Sequence, residues 1–174
     1  MTTQPVTPRI YVACLASYNN GRLHGTWIDA NQSPEDIQTE VSAMLATSPE
    51  ENAEEWAIHD HEGFCGTEIS EWEGFEQVSE LAAFVEEHGE LGGALLEHCC
   101  GDLEDARMLM SDNYAGCWKS LAEYAQELTE ETTQIPEHLQ YYIDYEAMAR
   151  DMVLSGDVFT LETGYEEVHV FWAR

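Results

Sequence analysis

The chain has 174 residues, of which 44% are apolar, and its 35 acidic residues against 6 lysines and arginines give a formal charge of −29. Five tryptophans, eight tyrosines and five phenylalanines spread along it exclude a disordered acidic tail and supply material for buried cores. The charge disfavours binding to nucleic acid or anionic membranes, and no run approaches the ~20 apolar residues of a membrane span.

In chain order, Ile10 to Ser17 is a β-branched and apolar run. Tyr18-Asn19-Asn20-Gly21 follows and carries the Asn-Gly signal of a tight hairpin, with Leu23 to Ile28 as the returning strand. Ser33 and Pro34 then mark a helix start, the serine as cap and the proline in the first turn, with Glu35 and Asp36 at the positive end of the helix dipole. Ile37, Val41, Met44 and Leu45 form its apolar stripe, and Trp56 to Asp60 reads as a third strand. Residues 1–62 are expected to form a small α+β domain.

From Phe64 to Ser111 the pattern turns helical, punctuated by glycines at 74, 89, 92, 93 and 101. Val78, Leu81, Ala82 and Val85 share one helix face, while Glu76, Glu80, Glu87 and Glu90 share the opposite one, within a sector of about 80°. Further helices are expected over Gly92 to Cys99 and over Leu103 to Met110, the latter with Asp102, Glu104 and Asp105 in its first turn. Residues 63–112 are expected to form a helical middle domain.

In residues 113–174 helices are expected first and strands last. Trp118, Leu121, Ala122 and Ala125 make an apolar stripe opposed by Glu123, Glu127, Glu130 and Glu131. Pro136-Glu137 opens a helix expected to reach Leu154, with Leu139, Tyr142, Ile143, Ala149 and Val153 toward the core. Tyr141, Tyr145, Met148 and Met152 form a second stripe on nearly the opposite face, which predicts a two-fold contact with another copy of the chain. Val158 to Leu161 and Val168 to Trp172 read as a hairpin around Thr163-Gly164. The fold class expected is α+β, in three small domains.

Candidate chemistry is sparse. Cys14, Cys65, Cys99, Cys100 and Cys117 are an odd set without a C-x-x-C pair, read as reduced thiols rather than a secreted disulfide framework. Met1 to Pro8 lacks the basic and apolar regions of a signal peptide, so a cytoplasmic location is expected. His59 and His61 with Cys65, or His98 with Cys99 and Cys100, offer ligand types without the spacing of a four-ligand zinc site, and no calcium-loop pattern occurs. There is no nucleophile-elbow, zinc-protease or phosphate-loop motif. Carboxylates are too abundant for any pair to signal acid–base catalysis. Neither a cofactor, a metal nor an enzymatic activity is expected.

The distribution of charge is the informative feature. No lysine or arginine lies between Arg22 and Arg107, and Lys119 is the single lysine. A charge run is ordinarily a solvated helix face, but whole helix faces without a base match the spacing of a duplex. Carboxylates three or four residues apart on a helix lie ~5–6 Å from each other, against one phosphate per ~3.4 Å of each DNA strand. Two or three such helices side by side approach the charge density of DNA. Glu76, Glu80, Glu87, Glu90, Glu104, Asp105, Glu123, Glu127, Glu130 and Glu131 are the candidate phosphate mimics.

Three blocks resemble the ArdA family of antirestriction proteins. They are Arg9 to Leu15 with Tyr18-Asn19-Asn20-Gly21-Arg22-Leu23-His24-Gly25-Thr26-Trp27-Ile28-Asp29, then Glu54 to Phe64 around Trp56-Ala57-Ile58-His59-Asp60-His61, then Gln140 to Asp151 around Tyr141-Tyr142-Ile143-Asp144-Tyr145. The resemblance implies an elongated, three-domain protein of mobile DNA that dimerises through its C-terminal domain. It further implies occupation of the DNA-binding groove of type I restriction–modification enzymes, blocking cleavage. The alternative is an acidic adaptor that binds a basic DNA-associated protein without imitating a duplex, and a carboxylate-based hydrolase stands third.

Overall fold

A computed structural model describes residues 6–173. It is α+β, with two three-stranded antiparallel sheets. The chain divides into two compact units, Met1–Gly101 and Asp102–Arg174. Among the described residues no helix is long and apolar enough to cross a membrane.

In the first unit β1 (Arg9–Cys14) lies between β2 (Gly25–Asp29) and β3 (Trp56–Glu62). The predicted pairing of the first two strands holds, with Ile10 opposite Ile28 and Val12 opposite Thr26. Its connection differs from the predicted two-residue turn. β1 stops at Cys14, a one-turn helix α1 (Leu15–Asn19) follows, and Gly21 takes the left-handed conformation (φ 76°) before the chain returns at Gly25. Residue 25 must be a glycine, because a Cβ there would lie 2.5 Å from the Val12 carbonyl oxygen.

Helix α2 (Pro34–Ala46) forms as its local signals dictate. Ser33 Oγ accepts from the Asp36 N–H at 3.1 Å, Pro34 sits in the first turn, and Ile37, Val41 and Met44 are buried. Helix α3 (Phe75–His98) joins two predicted helices across a kink at Gly89, whose φ of 59° and ψ of −138° belong to glycine. Its apolar face is the predicted one: Val78, Leu81, Ala82 and Val85 are all buried. The Ser79 hydroxyl donates to the Gln32 carbonyl at 2.6 Å, tying α3 to the β2–α2 loop.

The second unit opens with α4 (Leu103–Met108), capped by Asp102, and a π-helical turn over Leu109–Asn113. Its sheet runs β4 (Tyr114–Trp118), β6 (Glu167–Trp172), β5 (Val158–Gly164) in spatial order. β4 corrects the sequence expectation that helices come first here: Trp118 belongs to a strand, not a helix stripe. The β5–β6 hairpin is the predicted one, but its turn is Tyr165-Glu166 rather than Thr163-Gly164. Gly164 stays in the strand opposite Glu167.

Helix α5 (Leu121–Thr132) is capped by Ser120, whose Oγ accepts from the Glu123 N–H, while the Glu123 carboxylate accepts from the Lys119 N–H at 2.9 Å. The predicted helix from Pro136 to Leu154 is two pieces. A 3₁₀ segment covers Glu137–Tyr142, the chain extends at Ile143, and Asp144 caps α6 (Tyr145–Leu154) by accepting from the Ala147 N–H at 3.0 Å. Tyr124, Val158, Val168 and Val170 form the core, with Leu121, Leu128 and Met152 packed against it. The other sheet face carries Tyr114, Phe159 and Phe171, the last two stacked at 5.0 Å.

Candidate functional site

The predicted acidic residues come from helices whose opposite faces are held by the cores. On α3, Glu76 and Glu87 are exposed and Glu80 is half-buried. Glu90 is also exposed but follows the Gly89 kink, so the straight stripe read from periodicity is broken between Glu87 and Glu90. Glu87 Oε2 stands 3.8 Å from His88 Nε2. Glu90 faces the 63–66 loop: burial first, then the Glu90 charge, raises the pKa of the Cys65 thiol.

Glu104 and Asp105 are exposed in the first turn of α4, where they complement the helix dipole. On α5 the four glutamates are exposed, and three hold local structure as well. Glu123 closes the cap, Glu127 accepts from Trp118 Nε1–H at 2.5 Å, and Glu130 accepts from Gln126 at 3.1 Å. Those bonds fix carboxylates that would otherwise be free rotors, so part of the charge array is set in place by folding. The buried face of α5 is Tyr124 and Ala125, with Leu121 and Leu128 flanking. Tyr124 lies outside the predicted stripe because that stripe includes Trp118, which belongs to β4 and not to the helix.

The predicted dimer residues do not share one face. Tyr141 lies on the 3₁₀ segment and is 92% exposed, whereas Tyr145, Met148 and Met152 on α6 are half-buried. Met148 Sδ accepts from the Thr129 hydroxyl on α5, and Met152 packs on the core, so both face their own chain. Of the residues expected inside, Ala149 is buried, while Leu139, Tyr142 and Val153 are exposed. Leu139 and Tyr142 instead line a mainly apolar groove of about 290 Å³ with Ile135, Pro136 and Ile143.

In the second sheet the polar side chains bond to one another. On β4 and β6 the Tyr114 hydroxyl meets His169 Nδ1 at 2.7 Å, and His169 Nε2 meets Thr163 Oγ1 at 3.0 Å. Thr163 in turn donates to Glu167 at 3.0 Å. Cys117 lies opposite His169 in the register, yet both ring nitrogens are engaged, leaving none to activate the thiol. Burial lowers the His169 pKa, partly offset by Glu167. The folded state therefore favours the neutral ring, and its stabilisation, complete above the ordinary histidine value of about 6.5, is lost as pH falls through that value toward the lowered folded one. Comparing urea unfolding of the parent with His169→Gln cancels the general carboxylate repulsion. The parent's advantage is expected to be larger at pH 7.5 than at pH 5.5.

Among the described residues no group of three or more His, Cys, Asp and Glu side chains converges to hold a metal ion. His61 Nε2 already accepts the Ile69 N–H at 3.3 Å, and the five cysteines are free thiols. A family model described as "Antirestriction protein (ArdA)" matches residues 10–167, nearly the whole chain. No curated protein matches it.

Proposed function

This chain belongs to the ArdA antirestriction family, and from that premise we propose that it is a DNA mimic that occupies the DNA-binding groove of type I restriction–modification enzymes. The observation that carries the reading is the base-free stretch between Arg22 and Arg107, in which Glu76, Glu87 and Glu90 stand exposed on a helix whose other face is buried. Glu104, Asp105 and the α5 glutamates extend the exposed acidic surface in the second unit. A groove lined with lysine and arginine is built to receive phosphates, and carboxylates held in place by folding arrive with part of the ordering cost already met. The same charge keeps the protein off nucleic acid itself. With no base edges to present, it needs no recognition sequence and acts on enzymes of differing specificity. The test is cleavage of unmodified plasmid by a purified type I enzyme together with duplex binding by that enzyme: DNA mimicry predicts that the protein abolishes both, and unchanged cleavage, or cleavage lost with the duplex still bound, overturns it.

The proposal includes the elongated, three-domain homodimer that the family resemblance implies, in the cytoplasm where restriction operates. Support for dimerisation is the exposed apolar surface of the second unit, where Tyr141, Tyr142 and Leu154 are 92%, 84% and 77% exposed. Tyr145 lines a neighbouring cleft with Gln140 and belongs to its margin. Tyr141→Glu with Tyr142→Glu is expected to give monomers in sedimentation with native circular dichroism. A double variant that stays dimeric places the contact elsewhere.

A further inference from the structure

We infer that a cleft at the edge of the first sheet receives an arginine side chain of the partner enzyme, an inference that rests on the DNA-mimic reading above. β3 is an edge strand, and its pairing with β1 slips between Tyr11 and Val12: Tyr11 faces Asp60 and Val12 faces Ile58, leaving His59 as an extra residue. Successive strand residues ordinarily point to opposite faces, and a bulge breaks that alternation and re-aims side chains. Here His59, Asp60 and His61 all line one cleft of about 490 Å³, together with Tyr18, Ile58, Ile69 and Glu71.

The far wall is held to the strand by two bonds. The Ile58 N–H donates to the Glu71 carbonyl at 3.0 Å, and the Ile69 N–H donates to His61 Nε2 at 3.3 Å. The second bond uses His61 Nε2 as an acceptor and so ties the ring to the far wall. Asp60 Oδ1 accepts from the His61 N–H at 2.8 Å, which orients the carboxylate. The Glu71 carboxylate stands 3.8 Å from His59 Nε2, too far for a good hydrogen bond, with its side chain 52% exposed. Tyr18 meets the His59 ring edge-on at 4.8 Å.

Two carboxylates from different segments, the exposed Tyr18 ring and two imidazole rings, over a floor of buried Ile58 and Ile69, describe the complement of a planar cation. Guanidinium offers several donors in a plane and stacks on rings, whereas ammonium is a strongly hydrated point charge. No lysine or arginine lines the cleft to receive a phosphate. A DNA-binding groove presents arginines, and the cleft supplies a directional contact that the exposed helical carboxylates do not.

The test uses the whole protein and nuclear magnetic resonance, titrating N-acetyl-arginine amide, its lysine counterpart and the uncharged citrulline counterpart. The arginine compound is expected to shift the Tyr18, His59 and His61 ring signals and the Ile58 and Ile69 methyls saturably, at least about fivefold more tightly than the lysine compound. Citrulline shifts none of them, and Glu71→Gln with Asp60→Asn abolishes the effect, as does Tyr18→Ala if the first pair perturbs the sheet. Shifts scattered over the acidic helices, equal affinity for lysine, or binding that survives both variants overturns the site. Inhibition then identifies the source of the arginine. If the parent inhibits a type I enzyme and a folded Glu71→Gln, Asp60→Asn variant inhibits equally, the cleft does not meet the enzyme. If the parent itself fails to inhibit, the DNA-mimic reading falls while the arginine titration still decides the cleft.

Discussion

Neutralising Glu76, Glu87, Glu90, Glu123, Glu127, Glu130 and Glu131 together to glutamine is expected to weaken inhibition of a type I enzyme by roughly two orders of magnitude. Each exposed carboxylate acts through a screened contact worth about 0.5 kcal/mol or less. Seven such contacts give up to about 3 kcal/mol, and 1.4 kcal/mol is a tenfold change in affinity. Any single substitution should change inhibition by about twofold or less. Glutamine keeps an acceptor oxygen for the bonds that Glu123 and Glu127 take from the Lys119 N–H and Trp118 Nε1–H, so the fold survives the change. The salt dependence of binding should flatten in step with the charge removed. One Glu→Gln that abolished inhibition in a folded protein would point to a hot spot instead of a distributed array.

The second large effect concerns stability. Gly93 lies buried in α3 against the loop that carries Cys65, and a Cβ there would fall 2.2 Å from the Cys65 carbonyl oxygen and 2.6 Å from its Cβ. Neither atom is the end of a flexible chain, so helix and loop must separate. Overpacking of this kind costs about 1–3 kcal/mol or more, against the ~0.5–1 kcal/mol that alanine gains over glycine in a helix. Gly93→Ala is therefore expected to destabilise the first unit by about 2 kcal/mol, a fall in melting temperature of about 10 °C. Gly74, at the N-cap of α3 with nothing within 4 Å, is the control. Gly74→Ser should hold or raise stability, since no side chain caps that helix. Equal melting temperatures for Gly93→Ala and the parent would show that the loop yields freely.

Both effects turn on features that the sequence reveals unequally. The signals for α2 are adjacent in the chain, a capping Ser33, Pro34 and a 3.6-residue stripe, and so could be read directly. The buried face of α3 was equally plain, because Val78, Leu81, Ala82 and Val85 repeat at helical spacing. β4 escaped because Tyr114-Ala115-Gly116-Cys117-Trp118 contains a glycine and no alternation of apolar with polar residues. The break at Ile143 was partly legible: Asp144 followed by a helical pattern is a capping signal, overridden by the apolar periodicity running through it. The bulge beside the cleft that His59, Asp60 and His61 line depends on the register between β1 and β3, where Val12 meets Ile58 and Tyr11 meets Asp60. No local pattern encodes that. For the acidic surface, composition gives the density of charge, and the turn at Gly89 shows why periodicity alone misplaces Glu90 relative to Glu87.

The most direct measurement is displacement of a labelled duplex from the DNA-binding core of a type I enzyme, titrated with the protein at several salt concentrations. DNA mimicry predicts that protein and duplex exclude each other, the apparent affinity of the protein falling in proportion as duplex is added and both weakening as salt rises. A ternary complex of enzyme, duplex and protein, or inhibition of cleavage with the duplex still bound, would contradict occupation of the groove and favour an acidic adaptor that acts from another surface.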